Sequence, residues 1–364
     1  MVKQRLDRVR DRLSEWEVEG LLVTNIDNIH YLSGFTGSTA VIIITAQRAL
    51  FLADGRYTTQ TQEEVKGFEL RGYRGKQLEF IIETIKEVKI RKLGFEPEAL
   101  VYSSFNRLKE TLAINGVELI PINKAIEEFR VVKEEGEIRL IDKAIQLAAK
   151  ALETIKDFIR PGAREVDLAI ELEYQMKKLG AERIPFETIV VSGERSAMPH
   201  GKPSEKGLRP GELVTIDWGC TLNGYHADIT RTFALAGATA EQEAEQRKIY
   251  QIVLQAQQAA IEGVEPGINS VDLDGCCRKV IEEAGYGEYF SHGTGHGVGM
   301  AVHEDPVITW YNGSVIKEGM VFTLEPGIYI PSWGGVRIED MVLVKGGRCH
   351  ILTQAINSSW QVRG

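Results

Sequence analysis

Five residues in the C-terminal half of the chain have side chains that could bind metal ions: Asp217, Asp228, His296, Glu325 and Glu339. Each lies in or beside a short apolar or glycine-rich run, and such runs are usually buried. A buried carboxylate costs free energy unless a cation pairs with it, and no comparable set of Lys and Arg surrounds these acids. Because four carboxylates would neutralise two dications, the set predicts a pair of divalent metal ions.

The ligand types also indicate which metals would bind and what they would do. One imidazole and four carboxylates without a thiolate favour hard or borderline ions, so we expect manganese, with cobalt, zinc or iron as alternatives. Two such ions close together activate a bridging water and polarise a carbonyl oxygen, which predicts hydrolysis of an amide or an ester. No nucleophile signature competes, since the sequence lacks G-x-S-x-G and Cys220 has no evident His partner.

A predicted hairpin positions the two aspartates. Asn223-Gly224 is a strong signal for a two-residue turn and joins two segments that are rich in β-forming residues. With that turn, Asp228 pairs opposite Gly219, two residues from Asp217. The aspartates then lie on one face as diagonal cross-strand neighbours, about 7–8 Å apart at the backbone, where they would repel each other unless a cation bridged them.

The two glutamates belong to a similar arrangement later in the chain. Glu325 ends an apolar run and is followed by Pro326-Gly327. Arg337 and Glu339 are two residues apart on a predicted strand, so both side chains should face the same side.

His296 lies in a glycine-rich segment, HGTGHGVG, over residues 292–299. Small residues let the backbone and the imidazole approach a crowded centre. A phosphate-binding loop is disfavoured, because the glycines do not fit G-x-G-x-x-G and no Gly-Lys-Ser/Thr follows. A zinc-protease helix at His303-Glu304 is also disfavoured, because Pro306 would interrupt it.

An internal repeat relates the two arrangements. Residues 161–180 and 266–285 share Pro-Gly, Val-Asp-Leu, a helical pattern and a closing Gly, and a long helical pattern precedes each copy. Further on, GELVTIDWG aligns with GMVFTLEPG, which places Asp217 opposite Glu325. A hairpin pattern after each copy supplies one more acid. Two half-domains would therefore contribute two carboxylates each to a pseudo-twofold site.

The chain of 364 residues is too long for one ordinary core, so we expect two domains. The first, residues 1–122, alternates helix and strand patterns in the manner of an α/β layer domain. A charged linker over residues 123–130 follows it. The second domain, residues 131–364, carries the candidate metal ligands.

Composition and charge restrict the classes of function. A hydrophobic content of 43% and a charged content of 26% are those of a soluble globular protein. The net charge of −9 argues against nucleic acid or an anionic membrane as a partner. The longest apolar runs are too short to span a bilayer, no signal peptide is evident, and the four cysteines form no CxxC pair. We therefore expect a cytoplasmic protein.

These residues and motifs together resemble a known family. HGTGHGVG, VHEDP and LEPG around the expected ligands resemble the pita-bread metallopeptidases over the whole second domain. NIHYLSG and DGRY in the first domain resemble the creatinase-type N-terminal domain. The combination is similar to Xaa-Pro peptidases, meaning aminopeptidase P and prolidase. It implies an α/β creatinase-like N-terminal domain, an α+β pita-bread catalytic domain with a pseudo-twofold repeat, and a homodimer.

The resemblance also implies roles for the metal ligands. Asp217 and Glu339 would contact or bridge the metals. Asp228 would hold one ion, whereas His296 and Glu325 would hold the other. Glu325 would take the proton from the attacking water, with Glu339 as the alternative for that role.

Four more residues acquire roles in the same way. His200 would line the pocket near the scissile carbonyl or the proline ring, and His303 would stabilise the oxyanion or carry a proton. His292 matches a substrate-side histidine of aminopeptidase P. Arg337 matches an arginine that orients the substrate and the last glutamate.

The expected substrates are Xaa-Pro dipeptides or longer Xaa-Pro peptides. Several prolidases have an Arg at the position of Val307, where it binds the free carboxylate of a dipeptide, so Val307 favours longer peptides. Arg337 could still serve a dipeptide carboxylate, and both substrate lengths stay open. A methionine-aminopeptidase-like activity and a catalytically silent binding module are the alternative functions.

Overall fold

The computed structural model describes residues 2–356. Residue 1 and residues 357–364, the outermost parts of the two expected domains, lie outside the described residues. The chain divides into two compact units, with the boundary between Arg130 and Val131. Within the described residues, no helix has both the length and the apolar character needed to cross a membrane.

A six-stranded sheet with the order β4-β3-β2-β1-β5-β6 forms the centre of the first unit. The strands are β1 (Gly20–Val23), β2 (Val41–Thr45), β3 (Ala49–Asp54), β4 (Glu69–Tyr73), β5 (Lys92–Phe95) and β6 (Glu118–Pro121). β1 pairs antiparallel with β2 and parallel with β5. β1 and β2 are buried along their whole length, which explains why their sequences are continuously apolar rather than alternating.

Helices cover this sheet, as the alternating sequence patterns predict. The described helices are α1 (Val2–Glu15), α2 (Ile26–Ser33), α3 (Thr58–Glu64), α4 (Gln77–Val88), α5 (Tyr102–Ile114) and α6 (Glu127–Arg130). α1 is amphipathic and buries Leu6, Val9 and Leu13, which recur at helical spacing.

Residues 123–130, expected as a linker, are part of the first unit in the structure. Ala125, Ile126 and Phe129 are buried there. Arg130 is also buried, and its Nη1 donates to Asn28 Oδ1 at 2.7 Å. The charged composition of this segment suggests a solvated connection, but several of its side chains have partners in the fold.

A buried glutamate lies at the carboxyl ends of the parallel strands β1 and β5. Glu96 Oε2 accepts hydrogen bonds from the backbone N–H groups of Thr24 and Asn25 at 2.6 and 2.8 Å. Its Oε1 accepts from Asn28 Nδ2 at 2.6 Å, and the same Nδ2 lies 2.6 Å from Glu127 Oε1. One polar cluster therefore ties the ends of two strands to α6.

The described residues of the second unit form several smaller sheets and four long helices. Its strands are β7 (Ile189–Ser192), β8 (Leu213–Trp218), β9 (Thr221–Leu222), β10 (Tyr225–His226), β11 (Ile229–Ala234), β12 (Gly295–Gly297), β13 (Glu304–Ile308), β14 (Val321–Leu324), β15 (Gly327–Ile330), β16 (Gly334–Arg337), β17 (Asp340–Lys345) and β18 (Arg348–Ile351). The helices are α7 (Glu135–Ile155), α8 (Glu165–Lys178), α9 (Ala240–Gly263) and α10 (Ser270–Glu283).

The two halves of this unit repeat the same order of elements. In the first half, α7 and α8 precede a sheet in which β8 lies between β7 and β11. In the second half, α9 and α10 precede a sheet in which β14 lies between β12 and β17. A two-stranded ribbon follows the central strand of each half in the chain, β9/β10 between β8 and β11 and β15/β16 between β14 and β17. The structure thus reproduces the internal repeat seen in the sequence.

The predicted turn and register of the aspartate hairpin are present. Asn223 and Gly224 both have positive φ, 48° and 79°, as a tight hairpin turn requires. Thr221 pairs with His226 and Trp218 pairs with Ile229. This common register places Asp228 opposite Gly219, so Asp217 and Asp228 are diagonal neighbours as expected.

Candidate metal centre

Three of the five expected ligands come together from three separate elements. Asp228 lies between β10 and β11, His296 lies in β12, and Glu339 immediately precedes β17. One donor atom from each of these residues lies within 4.8 Å of the other two. Asp228 and Glu339 are buried, so the backbone brings two acids and an imidazole together out of contact with most of the solvent.

Glu325 joins this group through the imidazole. His296 Nε2 lies 3.2 Å from Glu325 Oε1 and 3.7 Å from Asp228 Oδ2. The other ring nitrogen, Nδ1, lies 3.2 Å from the carbonyl oxygen of Gly297. Since a carbonyl only accepts, Nδ1 carries a proton, and the Nε2 lone pair can face a cation among the carboxylates.

Asp217 completes the set from the end of β8. Arg337 Nη2 donates to Asp217 Oδ2 at 2.7 Å. The other oxygen, Asp217 Oδ1, is buried and has no hydrogen-bond partner among the described residues. An unpaired buried carboxylate oxygen beside other acids is what a metal ligand would be in the absence of its ion.

Burial and like charge shape the electrostatics of the acids. Burial raises the pKa of Asp217, Asp228 and Glu339, and the neighbouring carboxylates raise the pKa of Asp228 and Glu339 further. Burial opposes ionisation of Glu325 as well, but the adjacent His296 lowers the pKa of Glu325 to about 2. Four carboxylates therefore face one arginine and one imidazole, a surplus of negative charge that suits two dications.

Arg337 connects the acids to the strands around them. Besides Asp217, its guanidinium donates to Thr230 Oγ1 at 3.1 Å and to the carbonyl oxygen of Pro199 at 3.0 Å. Thr230 in turn donates to Glu339 Oε2 at 2.8 Å. Arg337 and Glu339 thus converge on one hydroxyl, as their spacing of two residues predicts.

Tyr329 and Thr230 are polar contacts that the sequence analysis did not identify. Tyr329 Oη lies 2.8 Å from His292 Nε2 and accepts a hydrogen bond from Arg337 Nη1 at 3.1 Å. Burial raises the pKa of Tyr329 to about 12, so its hydroxyl keeps the proton that it donates to His292. In the sequence Tyr329 is one aromatic residue of an apolar strand. In the structure Gly327 pairs with Arg337 across the β15/β16 ribbon, which places Tyr329 diagonally beside Arg337. The sequence alone does not give this register.

The three other histidines that the sequence singles out, His200, His292 and His303, lie around the same centre. The ring centroid of His303 is 4.1 Å from that of His296. Burial and the charge of His296 lower the pKa of His303, and burial lowers the pKa of His292. His200 is exposed and lies near enough to His292 and His303 to interact with both. The lowered pKa keeps His292 and His303 neutral, and neutral imidazoles beside an acid cluster are suited to exchange protons with a bound substrate.

Two sequence profiles of known families match the chain. The profile of metallopeptidase family M24 matches residues 139–346. The profile of the creatinase/prolidase N-terminal domain matches residues 5–132. Together with the solved structures below, they confirm the expected pairing of a creatinase-like N-terminal domain with a pita-bread catalytic domain.

Relatives and solved structures are similar over nearly the whole chain. An Xaa-Pro dipeptidase of Pyrococcus furiosus is 38% identical over 355 residues, which cover 97% of this chain and 98% of that protein. The structure of an Xaa-Pro dipeptidase from Bacillus anthracis has a TM-score of 0.93 at 39% identity, covering 98% of both chains. The structure of an X-Pro aminopeptidase from Thermotoga maritima has a TM-score of 0.88 at 38% identity, covering 98% of this chain and 100% of that chain.

Proposed function

This chain belongs to metallopeptidase family M24, and from that premise we propose that it hydrolyses the peptide bond between an N-terminal residue and proline. The observation that carries the proposal is the convergence of four acids, two of them buried, and His296 beside Arg337 and two further imidazoles. The names of relatives at 38–39% identity over nearly full length support the Xaa-Pro substrate class.

We propose that Asp217, Asp228, His296, Glu325 and Glu339 hold two divalent ions. Asp217 and Glu339 would contact or bridge the ions, Asp228 would hold one of them, and His296 with Glu325 would hold the other. When bound, the ions would supply an activated water and a polarised carbonyl. The donor set of carboxylates and one imidazole supports manganese, with cobalt, zinc or iron as alternatives.

The remaining chemistry belongs to the side chains of the chain itself. Glu325 is the proposed base that takes a proton from the attacking water. Thr323 Oγ1 donates a hydrogen bond to Glu325 Oε1 at 3.1 Å and orients the carboxylate. Glu339 is the alternative base, although its Oε2 already accepts from Thr230. Arg337 fixes Asp217 and Tyr329 and orients the substrate.

The three histidines are assigned to the substrate. His303, in contact with the His296 ring, would face the oxygen of the scissile carbonyl and stabilise the charge that develops there. His200 would line the pocket for the carbonyl or the proline ring. His292, which accepts from Tyr329, would bind the substrate on the opposite side of the same network.

A dipeptidase and an aminopeptidase are both similar to this chain, at 39% and 38% identity, so the proposal for substrate length rests on the residues of the chain itself. Val307 pairs with His296 across β12 and β13, so the two side chains lie on one face. An apolar residue there offers no cation to the free carboxylate of a dipeptide. We therefore propose that the enzyme accepts longer Xaa-Pro peptides, with Arg337 as the cation that would serve a dipeptide.

A substrate panel tests this proposal. The purified protein is incubated with an Xaa-Pro dipeptide, an Xaa-Pro-Xaa peptide and a Met-Ala-Xaa peptide, each with Mn²⁺, Co²⁺ or Zn²⁺. We expect release of the first residue from the proline peptides and no cleavage of Met-Ala-Xaa. Cleavage of Met-Ala-Xaa alone would favour a methionine aminopeptidase. Failure to cleave any peptide with any metal would refute the enzymatic proposal.

We also propose a homodimer in a reducing, cytoplasmic setting. The four cysteines are free in the structure, which fits a reducing compartment. Light scattering coupled to gel filtration should give about twice the chain mass of 40.6 kDa. A mass equal to one chain would contradict the dimer.

A further inference from the structure

A buried glutamine on α9 lies beside two of the expected metal ligands without being one of them. Gln257 is 2% exposed, and Ala256 and Ala260 close to it on the helix belong to the buried apolar core. A side-chain amide in such surroundings costs free energy unless it forms hydrogen bonds. The hydrogen-bond partners of Gln257 therefore indicate its role.

The amide nitrogen of Gln257 contacts the two peptide groups that lead into the glutamates of the expected centre. Gln257 Nε2 lies 3.2 Å from the carbonyl oxygen of Leu324 and 3.3 Å from the carbonyl oxygen of Ile338. Leu324 directly precedes Glu325, and Ile338 directly precedes Glu339. One side chain thus donates to the backbone next to both glutamates.

Both peptide groups are also bound on their opposite edge. A carbonyl oxygen and the N–H of the following residue belong to one planar, rigid unit. The N–H of Glu325 donates to the carbonyl oxygen of Thr294 at 2.7 Å. The N–H of Glu339 donates to the carbonyl oxygen of Thr230 at 3.1 Å. The orientation of each unit is therefore set by a neighbouring segment on one edge and by Gln257 on the other.

A third acceptor fixes the orientation of the amide itself. Gln257 Nε2 also donates to Asp340 Oδ2 at 3.0 Å, and the other oxygen of this buried carboxylate accepts from Arg231 Nη2 at 2.7 Å. An ionised carboxylate only accepts hydrogen bonds, so the NH₂ group and not the oxygen of the amide faces it. The two amide hydrogens are then shared among the carboxylate and the two carbonyl oxygens.

The first repeat has a leucine at the equivalent position. Gln257 stands nine residues before the Pro-Gly at 266–267, and Leu152 stands nine residues before the Pro-Gly at 161–162. Both side chains are 2% exposed, so burial at this position does not itself call for an amide. The glutamine is thus specific to the half that carries the two glutamates.

We propose that Gln257 is a positioning residue that fixes the peptide groups of Glu325 and Glu339 and thereby holds both carboxylates in place for divalent metal ions. The part played by the ions rests on the proposed function, whereas the hold on the two peptide groups does not. Without the amide, two carbonyl oxygens lose a donor, and the peptide groups from which the glutamates project are less constrained. Ligands that are less well oriented bind metal more weakly.

Metal affinity tests the proposal through Gln257→Leu, which introduces the residue of the first repeat. Gln246→Leu is the matched control, because Gln246 is also buried on α9 and its Nε2 donates to the carbonyl oxygen of Gly211 at 2.8 Å. Gly211 adjoins no expected ligand in the sequence. Calorimetric titration of the metal-free proteins with Mn²⁺ gives Kd.

We expect Q257L to raise Kd for Mn²⁺ about 10- to 100-fold, the usual effect of losing a group that orients metal ligands. Kd of Q246L should stay within about twofold of the wild type. A wild-type Kd in Q257L would overturn the proposal, and so would an equal rise of Kd in both variants.

A second variant separates loss of position from loss of folding. Gln257→Met keeps an unbranched side chain of similar length, which adapts to the available space, and removes only the amide. Circular dichroism shows whether each variant is folded. We expect folded Q257M to bind Mn²⁺ as weakly as Q257L does. Wild-type affinity in folded Q257M would contradict the positioning role.

Hydrogen exchange of the metal-free proteins tests the positioning without metal or substrate. We expect the N–H groups of Glu325 and Glu339, resolved by NMR, to exchange about tenfold faster in Q257L than in the wild type. This factor corresponds to the loss of about one net hydrogen bond, and Q246L should not show it. Unchanged exchange at both groups would refute the role of Gln257 even if the substrate panel succeeds. Faster exchange in Q257L, together with a wild type that binds no metal, would refute the proposed function alone.

Discussion

Arg337 links the expected metal ligands to the residues around them. Its guanidinium donates hydrogen bonds to Asp217, Thr230 and Tyr329. The Thr230 hydroxyl in turn donates a hydrogen bond to Glu339. The guanidinium is planar and has donors in fixed directions, so it can bind several acceptors at once. A lysine could not replace it here. At the scale of single residues, the site is therefore a hydrogen-bond network around one arginine.

Tyr329→Phe tests the part of this hydrogen-bond network that includes His292. The change removes the hydroxyl between His292 Nε2 and Arg337 Nη1 and leaves both nitrogens without that partner. Arg337 keeps its contacts with Asp217, Thr230 and Pro199, so we expect stability to change little. We expect kcat/KM for an Xaa-Pro peptide to fall about tenfold, equal to about 1.4 kcal/mol, the scale of one hydrogen bond.

The control for this experiment is Tyr174→Phe, because Tyr174 is exposed on α8. Steady-state kinetics of both variants give the comparison. Equal kcat/KM in Y329F and Y174F would mean that the Tyr329 hydroxyl has no part in the reaction.

Val307→Arg tests the assignment of substrate length. The new guanidinium would lie on the face of His296 and could bind the free carboxylate of a dipeptide with two hydrogen bonds. We expect the ratio of kcat/KM for Xaa-Pro over Xaa-Pro-Xaa to rise about tenfold, since a charged hydrogen bond contributes about 1.5–3 kcal/mol. Val307→Met adds length without charge and should leave the ratio unchanged. If the ratio changed equally in Val307→Arg and Val307→Met, the charge of the new side chain would not be the cause.

The sequence identifies residues whose type or motif is unusual, and it misses those with ordinary surroundings. A cluster of acids and a His in apolar and glycine-rich runs is unusual, which is why the sequence alone singles out these five residues as candidate ligands. Tyr329 and Thr230 stand in strands where aromatic and β-branched residues are expected. Their roles depend on partners at distant positions, Thr230 being 109 residues from Glu339. A single sequence does not show which distant residues form such contacts.

At the scale of elements, local signals predict better than composition does. Asn223-Gly224 fixes the hairpin register because two positive φ angles leave few alternatives. In contrast, the charges of residues 123–130 suggest a linker. Asn28 and Arg130, 102 residues apart in sequence, form the contact that makes this segment part of the first unit. Long-range partners decide the outcome there.

Glu96 provides a pH-dependent prediction for the first unit. Burial, together with the carboxylate of Glu127, raises the pKa of Glu96 to about 7, although three N–H donors oppose the shift. The folded state then binds the proton more tightly than the unfolded state, whose pKa is the ordinary 4.5. The stabilising contribution is complete below about pH 4.5 and is lost as the pH rises through about 7.

The variant Glu96→Gln should remove this dependence. We expect the loss in free energy of unfolding between pH 5 and pH 8 to be smaller in E96Q than in the wild type, by at most about 3 kcal/mol. Urea denaturation at the two pH values measures it. Glu98→Gln, at an exposed position two residues away, serves as the control. Parallel pH profiles for the wild type and E96Q would contradict the raised pKa.

At the scale of the whole molecule, metal should stabilise the folded chain. A ligand that binds only the folded state adds about 2.7 kcal/mol at a concentration of 100 times Kd. In a domain of about 150–250 residues this corresponds to roughly 5–10 °C in Tm. We expect a chelator to lower Tm by that amount and added Mn²⁺ to restore it.

The Asp228→Asn protein is the matched control for metal removal. One ligand of the expected centre is lost, so the chelator should lower its Tm by less than it lowers that of the wild type. Calorimetry combined with metal analysis gives both the shift and the number of ions per chain. The same Tm with and without chelator in the wild type would contradict a metal centre at these residues.

The division of the expected ligands between two repeated halves has a consequence for biosynthesis. Asp217 and Asp228 belong to the half that leaves the ribosome first, whereas His296, Glu325 and Glu339 follow in the second half. A nascent chain that ends before the second half offers only two carboxylates, which hold a dication weakly. Tight uptake must therefore wait until both halves are made and folded. Only a fully synthesised and folded chain would then bind the metal ions, and a truncated chain would stay inactive.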